Sequence, residues 1–344
     1  MRILLNGESR ELEGTTATLA DLVRSLDRLP ERLAAAVNEE VVPRERWDQV
    51  GLAEGDRVDL VRVMAGGSQQ AEPTERAPHE AGPAEGDALV IAGVPLRSRL
   101  MAGTGKFSDP RAMRRALEAS GAEVVTCSIR YMDLTGSGDD PLFLDQLELS
   151  RFRLLPNTAG ARTARDAIHM AHLAREATGT SWLKLEVIGD PETLWPDPEG
   201  TLEAARILVS EGFAVLPYTS YDLVTALRLE EAGCATVMPM ASMIGSGQGF
   251  IDWSSIRRIV ERVKVPVIVD AGLRSPSDVA MAMELGADGV LVNSAIARAS
   301  DPVGMASALR LAVDAGRLAY RAGLMPRRET AEPSSPARGV VRAS

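Results

Sequence analysis

From Leu89 onward, short apolar runs alternate with helical segments, and this alternation constrains the fold more than any other feature of the chain. Apolar strands are expected at Leu100–Gly103, Glu123–Ile129, Leu154–Asn157, Leu183–Ile188, Ala214–Tyr218, Thr236–Pro239, Val267–Asp270 and Val290–Asn293. Helical spacing fills the gaps, at Pro110–Ser120, Thr163–Ala177, Leu202–Glu211, Asp222–Ala232, Ser277–Leu285 and Asp301–Ala322. The gap between the second and third strands holds only a short helical piece near Phe143–Leu149, and a Leu89–Leu96 hairpin precedes the series. Eight parallel-type strands with their helices over about 240 residues predict an α/β chain with a (β/α)8 TIM barrel; a doubly wound open sheet is the alternative.

The first 67 residues follow a different pattern. Arg2–Leu5 and Ser9–Leu12 flank Asn6-Gly7, a hairpin turn signal. Thr18–Leu29 has helical spacing, opened by Thr18 with Asp21 three residues on. Ala34–Val37 and Asp56–Val63 read as returning strands. A hairpin, a helix and returning strands predict a small α+β roll of the ubiquitin-like kind, ending Met64-Ala65-Gly66-Gly67. Residues 68–88, rich in Gln, Glu, Pro, Ala and Gly, lack apolar periodicity and are expected to be a disordered linker. Its root-mean-square span would be about 25 Å and its taut limit roughly 70 Å. The predicted units are therefore 1–67, the linker 68–88, a barrel over 89–326 and a Pro/Ser/Arg-rich tail over 327–344.

Composition excludes several classes of function. A net charge of −10 with no opposing basic cluster argues against nucleic-acid binding. Cys127 and Cys234, the two cysteines, have no metal-ligand spacing and suggest core filling in a reducing cytoplasm. The start of the chain lacks the apolar core of a signal peptide, and no stretch approaches a membrane span of roughly 20 apolar residues. His169 and His172 fall in the Thr163–Ala177 helix and His79 in the linker, which disfavours a histidine triad or zinc site.

The chemistry points instead to Lys184, one of three lysines (with Lys106 and Lys264) among 38 basic residues. It lies in the apolar run from Trp182 to Gly189. Strand alternation puts Trp182, Lys184 and Glu186 on one face and Leu183, Leu185 and Val187 on the other. An ammonium on a buried face is costly to desolvate. It is either a structural ion pair or a lysine of depressed pKa able to form an imine with a carbonyl substrate. Asp270 closes the strand Val265–Val269 and is either a helix cap or a partner to Glu186 in acid/base work. Strand ends six to eight run into Ser242–Gly249, Asp270-Ala271-Gly272 and Asn293-Ser294-Ala295. Glycine-rich endings on neighbouring strands at the C-terminal face suggest a phosphate cradle.

These residues carry a resemblance. The segments Ser98–Lys106, Leu155–Gly160, Lys184–Gly189, Val215–Thr219, Ile244–Gly249 and Val269–Gly272 resemble thiazole synthase of thiamine biosynthesis, over residues 89–322. Residues 1–67 look like the sulfur carrier protein of the same pathway, so the chain is similar to a fusion of the two. The resemblance implies condensation of 1-deoxy-D-xylulose 5-phosphate with dehydroglycine and sulfur from a carrier thiocarboxylate. It implies that Lys184 forms the imine, that Glu186 and Asp270 act as acid and base, and that Gly245, Ala271, Gly272, Asn293 and Ser294 contact the sugar phosphate. It implies no metal or organic cofactor. As partners it implies an adenylyltransferase that activates the carrier, an enzyme that produces dehydroglycine, and further copies of the chain in a homo-oligomer, a tetramer in the family. The chain departs from the family at Ser294, where Thr is usual, and at Met240 and Met243, where Gly and Pro are common.

Gly66-Gly67 would be the carrier terminus, yet Gly67 continues into Ser68, and an amide cannot be adenylated. Three readings follow: the chain is cut after Gly67, the unit works differently, or it is idle and a separate carrier supplies sulfur. Another imine-forming sugar-phosphate enzyme, aldolase-like, explains Lys184 but not the Gly-Gly unit. A silent scaffold explains the unit but not an intact Lys184, Glu186 and Asp270.

Overall fold

The computed structural model describes residues 1–12, 18–26, 33–63, 87–107, 109–131, 151–332 and 334. The Gly66-Gly67 pair, most of the expected linker, the Phe143–Leu149 piece and most of the tail lie outside the described residues.

Strands β1 (Arg2–Leu5) and β2 (Glu8–Glu11) form an antiparallel hairpin, turned at Asn6 and Gly7, both with positive φ. Helix α1 (Leu19–Arg24) opens with a capping box in which Thr18 and Asp21 satisfy each other's backbone N–H. β3 (Leu33–Val37) and β4 (Glu40–Val42) pair antiparallel, and β5 (Arg57–Val63) lies between β1, parallel, and β3, antiparallel. Ile3, Leu5, Leu19, Leu22, Trp47 and Leu60 fill a core of their own beneath this sheet. The result is the ubiquitin-like roll expected from the sequence.

The hairpin β6 (Leu89–Ile91) and β7 (Val94–Leu96) packs with Met101, Trp182, Leu216 and Met238, stopping the lower end of the barrel interior. The barrel strands are β8 (Leu100–Gly103), β9 (Val124–Tyr131), β10 (Arg153–Asn157), β11 (Trp182–Leu185), β12 (Ala214–Thr219), β13 (Met238–Pro239), β14 (Ile268–Val269) and β15 (Gly289–Val292). Every neighbouring pair is parallel, and β15 returns to β8. Between β13 and β14 the ring is completed by bridges Val237 to Val267 and Met240 to Asp270. The barrel fold expected from the sequence is the observed one.

Around the barrel run α2 (Pro110–Ser120), α3 (Ala164–Thr178), α4 (Pro198–Ser210), α5 (Leu223–Glu231), α6 (Trp253–Arg262), α7 (Pro276–Glu284), α8 (Ser294–Ala297) and α9 (Pro302–Ala322). Aspartate or threonine side chains cap the first turns of α2 to α6, and Asp301 caps α9. Cys127 and Cys234 are buried and form no disulfide, and burial pushes the Cys234 thiol up to about 12. Among the described residues no helix is long and apolar enough to cross a membrane.

Two features were not expected. β9 continues past the barrel rim to Tyr131, and there β5 pairs with it antiparallel, matching Val61 to Tyr131 and Val63 to Ile129. The roll is therefore an extension of the barrel sheet. Second, Asp87, placed in the linker by its composition, is held at the base of the barrel by Arg317 (2.6 Å), Arg99 (3.1 Å) and Arg321 (3.5 Å). The hydrogen bond from Arg317 leads in holding its carboxyl below the usual range.

Candidate active site

Alternation along the barrel strands aims one side chain in two at the axis. Trp182 sits in the lower packed layer of the barrel interior, so Lys184 and Glu186, in step with it, rise above that layer toward the C-terminal mouth. Asp270, at the end of β14, meets them there. Lys184 Nζ lies 2.6 Å from Asp270 Oδ2 and 3.2 Å from Glu186 Oε1, and all three side chains are buried. The nearer approach is an ionic contact whose direction falls short of a well-aimed hydrogen bond.

Burial alone disfavours the ammonium, but Asp270 and then Glu186 outweigh it, so the Lys184 pKa lies above the ordinary lysine value. The expectation of a depressed pKa is thereby corrected. Two carboxylates share one cation, and the lysine is charged until a partner or a substrate changes that balance.

The surroundings fix this trio in place. The Thr158 hydroxyl, fully buried at the end of β10, donates to the Glu186 carbonyl and accepts from the Glu186 N–H, each at 2.8 Å. The Tyr218 ring, on β12, stands 5.7 Å from Lys184 Nζ, within cation–π range. Burial first, then the charges of Asp270 and Glu186, push the Tyr218 phenol up, so it stays neutral. Ile188, Tyr218 and Met240 pack with Trp195, Tyr221 and Ile244 as an apolar wall beside the trio. Asn157 is in register with Lys184 on the neighbouring strand. The Oδ1 atoms of Asn157 and Asn293 are buried without a hydrogen-bond partner, leaving two acceptors on the barrel.

The loops after β13, β14 and β15 converge as the glycine pattern suggests. Gly245 has φ +72°, and a Cβ there would sit 3.7 Å from Ser294 Oγ. Gly249 N–H donates to the Gly272 carbonyl at 2.9 Å. Gly272 has φ +74°, and a Cβ on it would fall 1.8 Å from Ser242 Oγ, so no other residue fits without a shift. Ala271 adopts φ +55°, and its N–H is taken by Asp270 Oδ1 at 2.7 Å. That amide therefore orients the carboxylate. Asn293 presses on β8, where a Cβ at Gly103 would lie 2.5 Å away.

Gly245, Ala271, Gly272, Asn293 and Ser294 thus gather on one side of the mouth, and Lys184, Glu186 and Asp270 form one cluster. Gly66 and Gly67 lie outside the described residues. Val63, the last residue of β5, is paired with Ile129, next to Ser128, which is in register with Asn157 and through it with Lys184. Sequence reasoning assigned no role to Thr158, Tyr218 or Asn157. The signal for Thr158 and Tyr218 was a polar group at a strand end in otherwise apolar sequence. His169, expected on the surface, lies where the roll meets α3, its Nε2 3.6 Å from Asp59 Oδ2.

A closed parallel barrel with ionisable groups at its C-terminal mouth, joined to a ubiquitin-like roll at its rim, defines a barrel enzyme with an attached ubiquitin-like unit. Residues 90–336 match the family described as thiazole biosynthesis protein ThiG, and residues 3–67 match the ThiS family. The chain is 43% identical over 341 residues to a thiazole synthase of Paramagnetospirillum magneticum, spanning 99% of this chain and 100% of that protein. It is 56% identical over 255 residues to a thiazole synthase of a Methylobacterium species, spanning 74% of this chain and 95% of the relative. Among solved structures it is similar to the Amycolatopsis orientalis BexX/CysO complex, with TM-score 0.63 and 39% identity over 70% of this chain and 98% of that one. The chain belongs to the thiazole synthase family of thiamine biosynthesis, with an N-terminal unit of the ThiS family.

Proposed function

We propose that the barrel condenses 1-deoxy-D-xylulose 5-phosphate, dehydroglycine and carrier thiocarboxylate sulfur into the thiazole phosphate of thiamine, through an imine on Lys184. The observation that carries this reading is the buried Lys184 ammonium held between Asp270 and Glu186. Lys184 passes a proton to Asp270, its nearer partner, and the free amine attacks the sugar carbonyl. Asp270 returns that proton to the new alkoxide, Glu186 takes a proton from the attacking nitrogen and gives it to the carbinolamine hydroxyl, and the protonated imine forms as water leaves. Gly245, Gly272 and Ser294 bound the place for the phosphate, with Ala271 aiming Asp270 and Asn293 setting the wall against β8. The unpaired acceptors of Asn157 and Asn293 suit the hydroxyls of the sugar. Borohydride reduction with the sugar phosphate is expected to add mass to the peptide containing Lys184; labelling at Lys106 or Lys264 instead would overturn the assignment.

The N-terminal unit is read as the sulfur carrier. Gly67 follows Val63 by four residues, which span at most about 14 Å when extended. Adenylation needs a carboxylate, so the active form is cut after Gly67 and loaded by a separate adenylyltransferase. Mass spectrometry of protein from its own cells is expected to find a fragment ending at Gly67. Full thiazole synthesis by an uncut chain with no added carrier would show that the cut is unnecessary. A dehydroglycine-producing enzyme, a homo-oligomeric assembly and a cytoplasmic setting complete the reading, as in the family.

A further inference from the structure

The sheet of the N-terminal roll is covered on both faces. Along β3, Leu33 and Ala35 belong to the roll's own core, whereas Ala34 and Ala36 belong to the core of the barrel. Along β5, Val58 and Leu60 face the roll and Val61 the barrel, while Asp59, 1% exposed, faces His169 of α3. The main chain is committed too, because Val61, Arg62 and Val63 occupy the edge of β9 at Tyr131, Arg130 and Ile129. At the periphery, Arg44 N–H donates to Glu176 at 3.0 Å and Arg165 pairs with Glu39. A strand edge accepts one partner, and the outer face of α3 is filled by the same unit.

We propose that the β9 edge and the outer face of α3 form a single carrier berth, which the uncut chain fills with its own roll and so closes to a carrier from solution. The proposal rests on the reading of the roll as the sulfur donor. Residues 64–86 join the two units covalently, and a tether of this kind gives an effective concentration on the order of 1 mM. Against an intrinsic Kd on the order of 10 µM, that weakens capture of a free carrier roughly 100-fold. Severing the join removes the concentration advantage while leaving the packed faces, so exchange begins once the chain is cut.

The test uses residues 1–67 of this chain, labelled through Glu8→Cys on β2, the far edge of the roll's sheet from β9. The labelled roll is titrated into uncut full chain, into residues 68–344, which keep Asp87, and into full chain carrying Ala36→Arg. Each part has grounds to fold alone: the roll has its own core, and the Methylobacterium relative is spanned almost entirely by 255 residues, about the length of the barrel part. Ala36 is fully buried on the barrel side of β3, so an arginine there ejects the resident roll without entering its core. Binding to 68–344 and to the Ala36→Arg chain, with an apparent Kd about 100-fold weaker for the uncut chain, is the expected result. Equal affinity for the uncut chain and 68–344 overturns the proposal, and so does failure of 68–344 to bind. Because binding is read and not turnover, the outcome is independent of whether Lys184 forms an imine.

Discussion

Each end of the barrel holds a cluster of charge, and the two have opposite make-up. At the mouth one cation, Lys184, is shared by two carboxylates; at the base one carboxylate, Asp87, is shared by Arg99, Arg317 and Arg321. Both bury charge that must be paired to be tolerated. The difference lies in what the cation permits. Guanidinium groups do not give up a proton, so the base cluster can only hold. A lysine among carboxylates can lose its proton to either neighbour, so the mouth cluster can hold or react. Similar electrostatics thus builds a clasp at one end and, at the other, a lysine able to give up its proton.

The sharpest way to break this comparison is Lys184→Arg. It keeps a cation between Asp270 and Glu186 but removes the nucleophile, so turnover is expected to fall on the order of 10⁴-fold or more. Borohydride trapping should vanish while the fold, followed by circular dichroism, is kept; trapping that survives would reduce the mouth to a second clasp. Asp270→Asn comes next, with a loss of about 10² to 10⁴-fold as proton transfer fails. Asp270 helps hold the Lys184 pKa up, so without it the neutral amine appears at lower pH, and the pH midpoint for imine formation should move down.

At the base, Asp87→Asn leaves the buried Arg99 only the more distant Asp288 carboxylate, at 3.9 Å, and should cost about 3 kcal/mol of stability, read by denaturant unfolding, with kcat of the folded enzyme unchanged. The sign of its pH dependence follows from a depressed native pKa. The advantage of Asp87 over asparagine is present above the ordinary aspartate value near 3.9 and fades as pH falls through the lower native one. Unfolding curves of the two proteins should converge in acid. Arg321→Gln is the smallest change: this side chain is 39% exposed and 3.5 Å from Asp87, so under about 1 kcal/mol is expected. A larger loss would mean that the outer arginine carries the clasp.

The mouth is more legible in the sequence than the base. Lys184 stands out because a charge inside an apolar strand needs a reason, and Glu186 is visible two residues on. The approach of Asp270 depends on ring closure, so the direction of the lysine shift cannot be read from neighbours in sequence. Asp87 is hidden by linker-like composition, and its partners Arg317 and Arg321 lie far along the chain. The run Ala34–Val37 did carry a signal. A sheet with one wet face alternates polar and apolar residues, and an unbroken apolar strand implies cover on both sides. Pairing of β5 with β9 leaves no such mark, because a backbone ladder is indifferent to the side chains it carries. Helix α6 carries a signal as well, since Trp253, Ile256, Ile259 and Val260 recur at helical spacing behind Asp252, among serines and arginines.

The return of β15 to β8 and the grip of Arg317 on Asp87, 230 residues apart, bear on how the molecule comes into being. Chain emerging from the ribosome can build the roll and successive strand–helix units in turn, but the ring cannot seal until Val292 is available, nor the base lock until α9 is made. Until then β8 offers an unpaired edge, the kind of surface that recruits stray strands. Contacts so distant in sequence make final closure a slow step. The vulnerable interval in the life of this protein is therefore its last stage of synthesis.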